Sequence, residues 1–359
     1  MANGNPAEEY SPYSAQAELE RFINSDHNKA PENTVIPTGF AQIDKALGGG
    51  LHPGITVLGA KPAAGKSSLA LQIAANIAVY SKKKFPVVYF SYEMTSAHLT
   101  AKLLNRHVNQ KLGMKCTLRD IRSGKFTEEI RRELSESKAL KNLYIFTPKE
   151  TENGKQLYLS IDYIFKTIKA ISEKTKKTPL AIIDYLQYAA LMNNEANKLQ
   201  ANKTRESIER TLLRLALRSH RDSLPILVIS SVNRASYENE PDITMFKDSG
   251  FIEFSADCLL ALYEDPNSPP VEEEITPLNL KVMKNRYGMP NQIIRLDFNP
   301  SRDYFVEIKT STIKRKKSNK TASSATSSAK AAKIPSEIES DLLPPDPQEQ
   351  DEIDKLINS

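Results

Sequence analysis

The chain has 359 residues, 40% of them hydrophobic, and a formal charge of +5. That suffices for one large domain or two small ones with a sizeable core, and it permits nucleic-acid partners without requiring them. No run of about 18 apolar residues occurs, so no membrane span is expected; the two cysteines, Cys116 and Cys258, read as buried thiols in a reducing, cytoplasmic setting.

In chain order, residues 1–35 are a polar segment whose start, Met1 to Tyr10, is unlike a signal peptide. One helical stretch, Ser14 to Ile23, sets Leu19, Phe22 and Ile23 on one face, which needs a partner surface. Pro37-Thr38-Gly39 begins the compact region. Phe40 and Ile43 open a short helix that Gly48-Gly49-Gly50 ends. A strand over Ile55–Leu58 follows, then an amphipathic helix from Ser67 to Tyr80. Further strand-like runs, at Val87–Ser91, Leu143–Phe146, Leu180–Asp184, Ile226–Ser230 and Cys258–Tyr263, alternate with helical segments. His98 and His107 share one such helix, nine residues apart, too far to share a metal ion. The alternation predicts an α/β fold with a mostly parallel sheet and helices on both faces. Leu278–Met283, Gln292–Phe298 and Tyr304–Ile308 read as an antiparallel extension that turns first at residues 286–290.

From residue 311 the composition shifts. Lys314–Lys317 begins a Ser/Thr/Ala/Lys-rich stretch expected to be a disordered linker. An acidic end follows, in which Ile353, Leu356 and Ile357 share a helical face. It reads either as a solvated tail or as a short helix that docks on a partner protein.

The chemistry concentrates at residues 59–67, Gly-Ala-Lys-Pro-Ala-Ala-Gly-Lys-Ser, between the first strand and its helix. Strand, tight turn and helix N-terminus come in the order a phosphate-binding loop requires. Backbone N–H groups of the turn and the positive end of the helix dipole favour phosphates. The candidate nucleotide contacts are Lys61, Pro62, Ala63, Ala64, Gly65, Lys66, Ser67 and Ser68. Lys66 would reach the β- and γ-phosphates, and Ser67 would hold Mg2+. Ala60 stands where the general signature has glycine.

Such a loop binds phosphates but does not hydrolyse them. Leu180–Asp184 supplies a metal-shell carboxylate, Asp184, at a strand's C-terminal end, where ligands of open α/β sheets bind. Val87–Ser91 leads in the same way to Glu93, a candidate base for the attacking water, on a strand expected to neighbour the phosphate-loop strand.

With these motifs in place, the chain from about residue 36 to 310 resembles the C-terminal motor domain of DnaB-type replicative helicases, which have a RecA-like P-loop NTPase core. Pro37-Thr-Gly-Phe40 with Asp44 resembles that family's opening motif, and Ala60–Ser67 its phosphate loop, which tolerates alanine at the first glycine. Ser91-Tyr-Glu-Met94 resembles the segment carrying the catalytic glutamate. Ile183-Asp-Tyr-Leu-Gln187 is the most specific match. Ser230-Ser-Val-Asn-Arg234 resembles the Ser-Gln-Leu-Asn-Arg sensor, which puts Ser231 near the nucleotide. Ser249-Gly-Phe-Ile-Glu253 and Ala256-Asp257 match further pieces. Lys284-Asn-Arg-Tyr-Gly288 resembles the Lys-x-Arg-x-Gly hairpin, whose lysine and arginine act on the neighbouring subunit's nucleotide. The resemblance implies ATP, Mg2+ and a homo-oligomeric ring, most simply a hexamer, with Arg286 and Lys284 acting across the subunit boundary.

It also implies DNA contacts on loops after the Asp184 and sensor strands. The candidates are Lys198, Lys203, Arg205, Arg234 and Lys247, with Arg205 equally suited to bracing its loop. Three departures stand out. Fewer than 40 residues precede the motor, where family members carry a helical collar that meets primase. Ser231 stands where the sensor has glutamine, and Lys247 where arginine is usual. Two functions follow as expectations: a helicase that translocates on single-stranded DNA during replication, or a RecA-superfamily DNA-binding ATPase that does not unwind. In either case a replication protein docking on the tail is the partner expected there.

Overall fold

Pro37-Thr38-Gly39 leads into α1 (Ala41–Ala46), and the Asp44 carboxylate folds this lead-in onto the helix by accepting Thr38 N–H and Oγ1–H at 2.6 and 2.7 Å. The structure, a computed structural model, describes residues 35–308 apart from 112, 114, 125–126, 137–138, 151–155, 158, 197–203, 234–239, 247–249 and 265–273. The helix expected at Ser14–Ile23 and the whole tail from 311 lie outside the described residues.

β1 (Gly54–Ala60) runs into the phosphate-binding turn, and α2 (Lys66–Ala75) follows it. A π-helical turn, Asn76–Tyr80, carries the chain toward β2 (Val87–Ser91), α3 (Ser96–Lys111), α4 (Leu118–Arg122), α5 (Thr127–Glu136) and β3 (Leu143–Phe146). A small antiparallel pair, β4 (Lys149–Glu150) and β5 (Gln156–Leu157), stands apart. Then come α6 (Ile161–Thr175), β6 (Leu180–Asp184), α7 (Leu186–Ala196), α8 (Thr204–Arg221), β7 (Pro225–Ser231), α9 (Gly250–Ser255) and β8 (Cys258–Glu264). β9 (Thr276–Asn285), β10 (Gln292–Asn299) and β11 (Tyr304–Glu307) close the described chain.

The nine-stranded sheet has the order β11-β10-β9-β8-β1-β7-β6-β2-β3. Pairing is parallel from β8 to β3 and antiparallel from β8 to β11. This corrects one expectation: the Glu93 strand, β2, does not neighbour β1, which pairs with β7 and β8. The chain leaves β1 through α2 and passes two strand positions, which β6 and β7 fill later. The result still serves the chemistry, because β2 pairs with β6 and sets Ser91 opposite Asp184.

Side chains alternate across the parallel strands into two cores. Leu58, Tyr89, Ile182 and Ile229 pack toward α1, α2 and α3 on one face. Val57, Phe90, Ile183 and Val228 pack toward α6, α7, α8 and α9 on the other. Helix α2 is not amphipathic as expected, for every residue from Ser68 to Ala75 is buried. The sheet covers one side of it and the antiparallel extension covers another. Gln72 exchanges two hydrogen bonds with the Phe305 backbone, at 2.8 and 2.9 Å, which ties α2 to β11.

Candidate active site

The phosphate-binding turn is held by contacts that need its particular residues. Gly65 has φ +90°, and a Cβ there would sit 3.0 Å from the Phe305 ring. Lys66 Nζ donates to the Ala60 and Lys61 carbonyls at 2.8 and 2.9 Å, so the ammonium lies across the mouth of the turn. Burial lowers its pKa, against the pull of Asp184 and Glu93. The Lys61 side chain pairs with Glu264 at 2.6 Å, and the Ala64 side chain belongs to the core.

A cleft of about 440 Å3 brings together Pro62, Ala63, Gly65, Lys66, Ser67, Ser68, Glu93, Asp184 and Ser231. Another hollow, of about 480 Å3 between α6 and α8, holds none of these residues, so chemistry rather than size marks the site. Asp184 ends β6 and is buried. Tyr89, also buried, donates its hydroxyl to Asp184 Oδ2 at 2.7 Å. Burial raises the Asp184 pKa; the hydrogen bonds from Tyr89 and Ser67 and the charge of Lys66 oppose that, while Glu93 adds to it. Asp184 Oδ1 is buried without a hydrogen bond among the described residues. A carboxylate oxygen left open beside a serine hydroxyl and an ammonium suits a divalent cation bound with phosphates. Among the described residues no group of three or more His, Cys, Asp or Glu forms a metal cluster, so phosphate oxygens would have to complete the shell.

Ser231 sits exposed at the end of β7. Its backbone N–H meets Gln187 Oε1 at 3.4 Å, and Gln187 Nε2 donates to Ser230 Oγ at 3.2 Å. The Gln187 amide therefore bridges the Asp184 segment and the sensor strand. At the other end of the cleft Lys102 Nζ donates to Ser68 Oγ at 2.9 Å and to Asp303 Oδ1 at 2.7 Å.

Lys284 and Arg286 are not in this cleft. Lys284 Nζ donates to the Glu253 carbonyl at 2.7 Å; burial and the neighbouring Arg286 lower its pKa. Arg286 Nη1 lies 3.0 Å from Asp257 Oδ1, beside the start of β1. The seven residues of β1 separate that point from the phosphate-binding turn by about 20 Å, at ~3.3 Å per residue. Arg286 cannot reach its own cleft. Of the DNA candidates, Lys198, Lys203, Arg234 and Lys247 lie outside the described residues. Arg205 opens α8 and pairs with Glu209 at 2.9 Å, a bracing contact along the helix. After β6 the chain continues as α7 to Ala196.

Reasoning from sequence missed Tyr89, Lys102 and Asp303. Tyr89 carried a signal, since a tyrosine within a fully buried apolar strand needs a partner for its hydroxyl. Lys102 and Asp303 carried none, being 201 residues apart and joined only by the fold.

A phosphate-binding turn between a strand and a helix, on a mostly parallel sheet with an antiparallel extension, defines a RecA-like α/β fold with a P-loop. The chain belongs to the DnaB-like helicase C-terminal domain family, whose model matches residues 35–307. It is 26% identical over 289 residues to the replicative DNA helicase DnaB of Geobacillus stearothermophilus, covering 79% of this chain and 58% of that protein. It is 28% identical over 255 residues to DnaB of Helicobacter pylori, covering 69% and 47%. The chain thus spans about half the length of these curated relatives. A solved ATPase domain superimposes with TM-score 0.61 at 20% identity, covering 83% of this chain and 100% of that one. A DnaB-like replicative helicase, solved with a view to its interactions with primase, superimposes with TM-score 0.60 at 21% identity, covering 83% and 67%. These likenesses support the fold.

Proposed function

We propose that this chain is the ATP-driven motor of a DnaB-type replicative DNA helicase, working as a ring, most simply a hexamer, that translocates on single-stranded DNA. One observation carries the reading: Lys66, Ser67, Glu93 and Asp184 share a cleft that no arginine lines among the described residues, while Arg286 stands about 20 Å away at the opposite sheet edge. A finger placed there serves a neighbouring copy, and a closed ring supplies one at each boundary. Lys66 meets the β- and γ-phosphates, and Glu93 takes the proton of the attacking water. Ser67 and Asp184 would hold Mg2+, which neutralises charge on the phosphates when bound. Lys198, Lys203, Arg205, Arg234 and Lys247 are proposed DNA contacts, and the acidic tail a docking site for a replication protein.

The test is fork unwinding with ATP beside single-strand-stimulated ATPase. Glu93→Gln should bind ATP and lose turnover by about 10²–10⁴-fold. Lys66→Ala should lose nucleotide binding. Stimulated hydrolysis without unwinding would favour a DNA-binding ATPase that does not unwind. Ser231 is the observation behind that alternative, for its hydroxyl is shorter than the sensor amide it replaces.

A further inference from the structure

The sheet edge opposite the cleft buries a carboxylate that the reading so far leaves without a task. Asp257 is 3% exposed, between α9 and β8. Its backbone N–H donates to the Ile55 carbonyl at 2.8 Å, and its Oδ2 accepts the Ile55 N–H at 2.8 Å, so it is pinned to the first residues of β1. His220 Nε2, from the end of α8, lies 3.2 Å from the same oxygen. Gly54, at φ +120°, leaves the room: a Cβ there would run into Asp257 Oδ2. With Oδ2 held from two sides the carboxylate cannot turn, and Oδ1 points to one group, the Arg286 guanidinium at 3.0 Å. Apart from that ion pair, Oδ1 is buried without a hydrogen bond among the described residues. The Arg286 backbone N–H donates to the Asp257 carbonyl at 3.0 Å as well. The arginine itself remains 52% exposed.

A buried carboxylate oxygen with one partner is costly to keep. A guanidinium has five N–H donors in a rigid fork, so one edge can be gripped while another faces outward. A finger on a hairpin turn has a long side chain to order before it can meet a phosphate, and a carboxylate that grips its other edge removes that freedom in advance.

We propose that Asp257 is the positioning residue for the Arg286 finger, fixing the edge of the guanidinium that does not meet the neighbour's phosphates. The proposal rests on the shared-site reading above. It also links the two functions of one subunit, because the strand that ends in the phosphate-binding turn begins beside the residue that seats the finger.

The test separates positioning from stability by asking in which subunit the change matters. Full-length Glu93→Gln subunits, which keep the finger, are mixed with full-length Arg286→Ala subunits, which keep the hydrolytic cleft. ATPase recovered by the mixture measures fingers acting in trans. Asp257→Asn is then added to one partner at a time. The asparagine oxygen can still accept the Ile55 N–H, which sets its NH2 against the guanidinium. On the finger donor, Asp257→Asn should lower the kcat of the mixture about tenfold or more with KM for ATP little changed. On the Arg286→Ala partner, which has no finger to seat, it should change nothing. Equal losses in both arrangements would mean that Asp257 only holds the fold, and no loss in either that the finger needs no seat; both overturn the proposal. A reference mixture that recovers no activity would instead bring down the shared site itself, and this proposal with it.

Discussion

Two clusters of buried charge meet at the start of α2, and they are built differently. In the first, Arg106 and Asp303 are 1% and 2% exposed and pair directly at 2.9 Å. Arg106 also donates to the Asp303 and Ser68 carbonyls, and Lys102 grips the second carboxylate oxygen. In the second, Lys66 and Asp184 do not pair. The lysine donates to two carbonyls, and the aspartate takes the Tyr89 hydroxyl and keeps Oδ1 open. Opposite charges that pair directly fasten α3 and the β10–β11 turn to α2. Charges held apart in the same wall remain available to a ligand. Burial raises the pKa of Asp184 and lowers that of Lys66, and it lowers that of Arg106 as well, whose Nη1 has no hydrogen bond among the described residues; what sets the first cluster apart is its direct ion pair, which offsets part of that cost.

The largest effect should come from breaking the paired cluster. Asp303→Asn suits the turn, since asparagine tolerates the φ of +52° found there, but it leaves the Arg106 charge buried with no counter-ion. A loss of about 3–5 kcal/mol in unfolding free energy is expected from denaturant titration. Nucleotide affinity should fall too, because Ser68 contacts both Arg106 and Lys102. Stability close to wild type would mean that this knot is dispensable and that the contrast with the cleft is wrong.

The next effect probes the open cluster. Tyr89→Phe removes one hydroxyl and no volume, freeing Asp184 to rotate. Groups that hydrogen-bond a metal-binding carboxylate typically govern metal affinity by about 10–100-fold. The Mg2+ dependence of ATPase should shift upward by that order. Direct Mn2+ titration of the ADP complex should show the same weakening. An unchanged titration would mean that the strand alone orients Asp184.

Much of this architecture could be read from residue order. The parallel strands were apolar runs because both their faces are covered, and their ends showed where ligands bind. Glu93 and Asp184 could be named because each follows such a run at its C-terminal end. Strand neighbours could not be read, since pairing depends on where later segments insert: β6 and β7 part β1 from β2 although α2 joins them directly. Helix α2 shows the same limit. Its polar residues look like a solvent face, yet Gln72 points at the backbone of β11, 233 residues later. What sequence conceals in this chain is contact between distant segments, and Asp303, Lys102 and the seat of Arg286 all belong to that class.

The smallest effect is the one that tests most directly whether the cleft holds its charges at a cost. Burial raises the Asp184 pKa above its ordinary 3.8. The folded chain therefore holds that proton more tightly than the unfolded chain does. The stabilisation this brings is complete below the unfolded pKa and is lost as pH rises through the folded pKa. Asparagine never ionises. Without nucleotide or metal, the melting temperature of Asp184→Asn relative to wild type should therefore rise as pH climbs above the ordinary carboxylate range, about pH 4. The gain is partly offset, because Lys66 loses the attraction of Asp184 that now holds its own pKa up against burial. If the wild type instead gains on Asp184→Asn as pH rises, the attraction between Lys66 and Asp184 outweighs their desolvation. The cleft would then be fastened as Arg106 and Asp303 are, and Asp184 would need to be released from Lys66 before serving a cation.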